Sequence, residues 1–257
     1  MDYFVDCMSI LDLEGPEGDV WVVKNAPQVQ PAFFSLQISE ARRFHLDLDP
    51  DRSLPLAVVS GGREHCEADY EIHRPGFDYW ALEFVAQGKG SLELGGKSYR
   101  LGAGMLFAYG PGIGQDIVTD PREPLVKYFV DFSGVRGEEL LREFGPAPGS
   151  VVQTSAPGDL LGIFDELIRC GLGASPQRGR MTRLLLEYLL VRVGESSIPH
   201  GAADSPAFAN YRSCRQVIED GWQRLHSLKD IAAECHLDPA YLCRLFKRFD
   251  HVTPYQY

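Results

Sequence analysis

The sequence predicts an α+β, multidomain chain: an antiparallel β-barrel in front, a helical hairpin behind it, and a small all-helical unit at the end. Three observations carry this. Residues 20 to 133 hold short β-prone runs cut by Gly, Pro and Asp, with no helical period between them. From residue 158 onward apolar residues recur at i, i+3 and i+4. A small, polar stretch at 195 to 206 then separates the hairpin from a last helical block. A chain of 257 residues with 44% hydrophobic content is large enough for two modest cores.

In the front part the strand runs are "WVVKN", "FFSLQIS", "RFHLDL", "PLAVVSGG", "DYWALEFV", "GSLELGGKSYRL", "MLFAYG", "QDIVTD" and "LVKYFVDF". Gly95-Gly96 reads as a two-residue hairpin turn, because both positions can take positive φ. Gly102 and Gly104 mark another corner. Evenly spaced short strands without intervening helices fit a sandwich or barrel, not βαβ units.

"GDLLGIFDELIRCGL" places Leu160, Leu161, Phe164, Leu167 and Ile168 on one helical stripe. "RGRMTRLLLEYLLVRV" repeats the period with Met181, Leu184, Leu185, Tyr188, Leu189 and Arg192. With the loop "GLGASPQRG" between them, the two form an antiparallel hairpin. Its apolar stripe is wide enough to serve a second copy of the chain or to pack against the barrel, and both uses stay open.

Composition narrows the functional classes. No run of about 18 apolar residues occurs, so no membrane-spanning helix is expected. The start "MDYFVDCMSI" lacks the basic-then-apolar order of a signal peptide. Six cysteines without a C-x-x-C pair fit reduced thiols in a cytoplasm. The formal net charge of -11 disfavours binding to phosphate, but it is unevenly placed. Residues 206 to 257 hold seven Lys/Arg and six Asp/Glu, whereas the rest holds 18 and 30. The last block is therefore close to neutral.

That block contains "SLKDIAAECHLDPAYLCRLFKRF". Ser227 can cap a short helix, with Asp230 three residues on; Leu228, Ile231 and Ala232 are its apolar face. His236-Leu237 breaks it. Asp238 can cap the next helix, with Pro239 in its first turn. In that helix Leu242, Leu245, Phe246 and Phe249 form a buried stripe, and Ala240, Cys243, Arg244 and Lys247 lie opposite, with Arg248 beside them. One anchored face and one small or cationic face are what a helix needs to enter the major groove. A solvated basic face on a packing helix has the same period.

The ordered run "SLKDIAAECHLDPAYLCRLFKRFDHVTPYQY" resembles the first half of the DNA-binding domain of AraC/XylS-type transcription regulators. The matching residues are Tyr241, Leu242, Arg244, Phe246, Lys247, Thr253, Pro254 and Tyr257. The resemblance implies that Ala240, Cys243 and Arg244 face bases, that Lys247 with Arg248 lies near phosphate, and that a homodimer reads paired operator sites. It also implies Gly at His251, and a second helix-turn-helix after the Thr-Pro motif, so 207–257 reads as an incomplete, first helix-turn-helix.

Residues 76 to 115 resemble the cupin-like sensor barrel joined to such domains, through the Gly-ended hairpin, Gly-Lys-x-Tyr-x-Leu-x-x-Gly and the Pro-Gly before Gln115. The resemblance places Glu83 where metal cupins carry a Glu, with Tyr79 and Trp80 near the His pair and Phe107 in place of the later His. Phe supplies no donor, so no metal and no cofactor is expected. "EHCEADYEIH" could offer His65, Cys66, Glu67 and His73 to a metal, or be a polar loop between strands. What remains is a small-molecule pocket, with Tyr79, Trp80, Glu83, Phe107, Tyr109 and Gln115 as its candidate lining. Tyr79 and Trp80, being adjacent on a strand, cannot both line it. A sugar is the first candidate effector that the resemblance implies.

The expected organisation is thus a ligand-sensing barrel (1–157), a dimerisation hairpin (158–194), a linker (195–206) and a DNA-binding unit (207–257). The expected function is ligand-responsive, sequence-specific DNA binding in the cytoplasm. The alternative is a metal-dependent cupin enzyme, an isomerase or dioxygenase, with a helical tail.

Overall fold

The computed structural model describes residues 31–199, 205–250 and 252–257. Two compact units are distinguished, Met1–Phe34 and Ser35–Tyr257. In the first, residues 31–34 are described, and Phe34 N–H donates to the Pro31 carbonyl at 2.9 Å. "WVVKN" and His251 lie outside the described residues.

The second unit opens with two antiparallel sheets. Its strands are β1 (Ile38–His45), β2 (Ala57–Cys66), β3 (Glu71–Arg74), β4 (Trp80–Gln87), β5 (Lys89–Leu94), β6 (Lys97–Gly102), β7 (Met105–Tyr109), β8 (Gln115–Thr119), β9 (Val126–Ser133), β10 (Ser150–Thr154) and β11 (Ser197–Pro199). Seven form one sheet in the order β1-β2-β9-β4-β7-β10-β11, and four form the other, β3-β8-β5-β6. This is the cupin-like barrel expected from the front half. Gly95 and Gly96, at φ 55° and 77°, make the β5–β6 hairpin turn.

Several boundaries differ from expectation. "FFSLQIS" and "RFHLDL" contribute to one strand, β1, instead of two. The stretch around His65, Cys66, Glu67 and His73 is a polar turn between strands only at 67–70: β2 continues to Cys66 and β3 starts at Glu71. Its polar residues hide a strand because their charges are compensated from neighbouring strands, which a single-segment pattern does not show. Strands β10 and β11 were also unmarked, as was α1 (Gly137–Phe144).

The helical hairpin is α2 (Pro157–Leu172) and α3 (Arg178–Ser196). Leu160, Phe164, Leu167 and Ile168 of α2 are buried against the outer face of the large sheet, with Leu82, Phe84, Leu106, Val130 and Phe132. Phe164 stacks on Phe84 at 6.0 Å. The expected stripe of α3 is divided, with its Leu185 and Leu189 on the core side and its Met181, Leu184 and Tyr188 exposed. Leu186, Leu189, Leu190 and Val193 are buried, whereas Met181, Leu184, Tyr188 and Val191 are exposed. Apolar residues surround this helix, so period alone could not choose the inner side. The first residues of the expected linker belong to elements, since α3 runs to Ser196 and β11 follows; 200–204 lie outside the described residues.

The last block folds as α4 (Pro206–Gly221), α5 (Leu228–Glu234) and α6 (Pro239–Phe249) around an aromatic core. Tyr211 meets Phe246 edge-on at 5.2 Å, and Phe208 meets Phe249 at the same distance. The capping residues act as the sequence implies: Ser227 accepts from Asp230 N–H at 3.2 Å, and Asp238 from Tyr241 N–H at 3.0 Å. The turn between α5 and α6 puts His236 at φ 54°, a left-handed conformation that His tolerates better than most residues.

Candidate functional site

The inner face of the large sheet carries charge where a barrel core is usually apolar. Lys127 on β9 lies opposite Glu64 on β2. Its Nζ is 2.8 Å from Glu64 Oε2 and 3.0 Å from Glu83 Oε2 on β4. Arg43 on β1 donates to Glu64 Oε1 at 2.8 Å, and the Tyr109 hydroxyl on β7 donates to Glu83 Oε1 at 2.7 Å. Five adjacent strands thus close one network, and its Lys127, Glu64 and Glu83 side chains are at most 5% exposed. Burial opposes charge here. Nevertheless Lys127 and Arg43 hold the Glu64 carboxyl below its ordinary range, and the two glutamates hold Lys127 well above its own.

Glu83, expected near a metal position, therefore faces an ammonium and a phenol. Cys66 and His65 are neighbours on β2, and His73 lies on the other sheet, its Nδ1 2.5 Å from Asp116. They do not converge. Among the described residues no three His, Cys, Asp or Glu side chains group as metal ligands.

Above the network runs a chain of rings. Phe107 stacks on Tyr109 at 6.3 Å, Tyr109 meets Phe77 at 5.6 Å, and Phe77 meets Tyr79 at 5.5 Å. The Arg74 guanidinium stands 5.3 Å from the Phe77 ring. Arg74 lies directly opposite Gln115 across the β3–β8 ladder. Both line a cleft of about 350 Å³ with Glu93 and Asp116, within the size range of small-molecule sites. Gln115 is 2% exposed, and neither its amide nitrogen nor its oxygen has a hydrogen-bond partner. A buried amide left open on both sides suits a ligand with a donor and an acceptor.

Of the six expected pocket residues, Glu83, Phe107, Tyr109 and Gln115 are buried in the barrel and Tyr79 is at its rim, where its hydroxyl donates to the Leu48 carbonyl. Trp80 is a correction. It packs on the outer, helix-facing core, so close that a Cβ on Gly110 or Gly137 would fall within 2.3 Å of its ring. Strand alternation sends it there. Arg43, Glu64, Arg74, Phe77, Lys127 and Asp131 were missed. The usable signal was Lys127 and Asp131 at i and i+4, on the same face of the otherwise apolar "LVKYFVDF".

Asp131 lies opposite Ser60, whose hydroxyl donates to it at 2.5 Å. Burial pushes its carboxyl up to about 7, against the Ser60 hydrogen bond and with Glu83 adding to the rise. Between its unfolded value near 4 and about 7 the folded state holds this proton more tightly. Asp131 thus makes stability fall as pH rises across that window, by no more than about 1.4 kcal/mol per pH unit, and adds no slope above it. In denaturant melts at pH 5 to 8, Asp131→Asn is expected to remove this component; an unchanged pH profile would contradict it.

The second candidate site is α6. Leu242, Leu245, Phe246 and Phe249 are buried, while Ala240, Arg244, Lys247 and Arg248 are exposed and Cys243 is half-buried. The Arg244 guanidinium sits 5.7 Å from the Tyr241 ring, and that of Arg248 5.0 Å from Phe249.

A small-molecule barrel joined to a capped two-helix unit with a cationic outer face defines a ligand-sensing regulator. The family model "AraC-like ligand binding domain" matches residues 59–190, and the chain belongs to that family. It is an AraC-type regulator with a cupin-like sensor domain. Over 208 residues it is 21% identical to the Msm operon regulatory protein of Streptococcus mutans, covering 79% of this chain and 74% of that one. Among solved structures it is similar to the AraC-like transcriptional activator CuxR, at 13% identity over 80% of each chain with a TM-score of 0.36. It is also similar to a Cupin 2 conserved barrel domain protein from Salinispora arenicola, at 16% identity over 46% of this chain and 98% of that one, with a TM-score of 0.30.

Proposed function

We propose that the chain binds an uncharged, hydroxylated small molecule in the barrel cleft, with a sugar as the first candidate, and reads operator DNA through α6 as a homodimer. The carrying observation is the buried, unpartnered Gln115 amide in a cleft of ligand size, in the same chain as a helix with one anchored and one cationic face. The cleft is lined by Arg74 and Gln115 together with Glu93 and Asp116, so a ligand there meets a guanidinium, an amide and carboxylates. Hydroxyls, which donate and accept, can satisfy all three.

In this reading Ala240, Cys243 and Arg244 face base edges, and Lys247 and Arg248 lie along phosphate. The chain is not an enzyme and works in the cytoplasm, where Cys66, Cys170, Cys214, Cys235 and Cys243 remain the free thiols they are here. No described helix is long and apolar enough to cross a membrane. The reading is tested on the purified full-length protein. Salt-dependent binding to its own upstream region is expected. Its absence, or stoichiometric iron, zinc or manganese in the barrel, would overturn the reading.

The exposed stripe of α3 supports the dimer. Met181, Leu184, Tyr188 and Val191 recur at 3-4-3 spacing, the seam of a two-helix coil. Leu184→Glu with Tyr188→Glu would bury carboxylates in that seam, and the dimer dissociation constant should rise at least about 100-fold by ultracentrifugation. An unchanged dimer would move the interface elsewhere.

A further inference from the structure

Strand β11 belongs to two cores at once. As a strand it closes the large sheet, pairing with β10 in the register Gln153↔Ile198 and Thr154↔Ser197. Without it β10 would present an open edge. Yet the Ile198 side chain, 6% exposed, packs among Phe208, Tyr211, Leu242 and Phe246 of the α4–α6 core. Ile198 thus serves the sheet with its backbone and the reader's core with its side chain.

A second contact reinforces the first. Arg215 on α4 reaches across and donates to the carbonyl of Ser155, where β10 gives way to α2. Its Nε is held by Glu219 Oε1 at 2.8 Å, the Tyr257 hydroxyl donates to the same carboxylate, and the Tyr257 ring lies 5.0 Å from the guanidinium. Ser155 is fixed from the other side, since its N–H donates to the Ser196 carbonyl at 2.9 Å, and its hydroxyl does so at 3.2 Å. Thr154 adds a bond to the Ser196 hydroxyl at 2.9 Å. Arg215 is thus aimed at a rigid acceptor by groups of its own domain.

The ladder leads back to the barrel. β10 pairs with β7, Val151 opposite Phe107, and Phe107 and Tyr109 of β7 are buried there. One strand therefore separates the strand carrying these two rings from the strand that plugs the reader.

We propose that β11 and Arg215 form a clasp that docks the helix-turn-helix onto the edge of the sensor sheet, and that the effector acts on the reader by opening or closing this ladder. The second clause rests on the regulator reading; the clasp does not. Closure presents α6 in one fixed orientation, and release frees it, so a ligand that favours one state shifts the arrangement of paired readers.

Amide hydrogen exchange on the full-length protein tests the clasp without effector or operator. Arg215→Ala should accelerate exchange at least tenfold in both 150–155 and 195–199, while amides of 241–249 stay protected. Ile198→Val, which keeps the plug but shortens it, should produce a smaller acceleration in the same two segments. Wild-type exchange there in Arg215→Ala would overturn the clasp and leave the regulator reading untouched. Loss of protection in 241–249 as well would show that Arg215 only supports its own domain, and would overturn it equally. If the clasp holds but a bound effector leaves exchange in both segments unchanged, the transmission clause fails.

Discussion

Lys127→Met is expected to destabilise the protein by about 3–5 kcal/mol, the usual cost of leaving buried charges without their partner. Glu64 would keep Arg43 and Glu83 would keep Tyr109, but the ammonium joining the two carboxylates would be gone. For a domain of this size the melting temperature should fall by roughly 6–20 °C. The pH response should also weaken. In the native protein Lys127 and Arg43 hold Glu64 below its ordinary range against burial, so its contribution is present above the unfolded value and lost as pH falls through the folded one. Without Lys127 that hold is reduced, and the loss of stability on acidification should be smaller in the variant. Adding Glu83→Gln to Lys127→Met should restore at least half of the loss, because Glu83 is the carboxylate left without a charged partner while Glu64 keeps Arg43. Thermal melts of the single and double variants decide it. A single variant as stable as the native protein would mean that the network contributes nothing.

That network also shows where the sequence stopped being readable. Elements whose own residues determine them were visible: the Gly95-Gly96 hairpin, α2 with its single apolar stripe, and α5 and α6 with Ser227 and Asp238 as caps. Elements determined by partners elsewhere were not. β2 looks like a polar loop from Arg63 on because Glu64 is neutralised by residues 21 positions before it and 63 after it. The outward face of α3 looks like its inward face because both are apolar, and only the sheet chooses between them. β11 is three residues long and gains its place from the open edge of β10 and the gap in the reader's core that Ile198 fills. Of the expected pocket residues Gln115 lines the cleft, while Glu83, Phe107 and Tyr109 are buried in the barrel away from its lining. Lys127 and Arg74 lie on strands whose partners no local pattern specifies.

In the proposed reading of α6 as a DNA reader, Arg244 is the residue whose replacement should have the largest effect on specificity. It is exposed on α6, one turn from Ala240 and next to Cys243, on a helix whose other face is fixed by Leu242, Leu245, Phe246 and Phe249. A small residue one turn earlier lets the backbone approach the groove, and the guanidinium then has the reach for a bidentate contact to guanine. In the full-length protein Arg244→Ala is expected to weaken binding to a specific site by about 1–3 kcal/mol and to relax preference at one base position. Lys247→Ala should act differently: a nearly uniform loss on all sequences, with the salt dependence falling by about one phosphate contact. The contrast between the two is the test, because both remove one positive charge from the same exposed face. Were Arg244→Ala to weaken every sequence equally, Arg244 would be a phosphate contact and base reading would have to come from elsewhere. Were neither variant to change DNA binding, the cationic face would be only the solvated side of a packing helix.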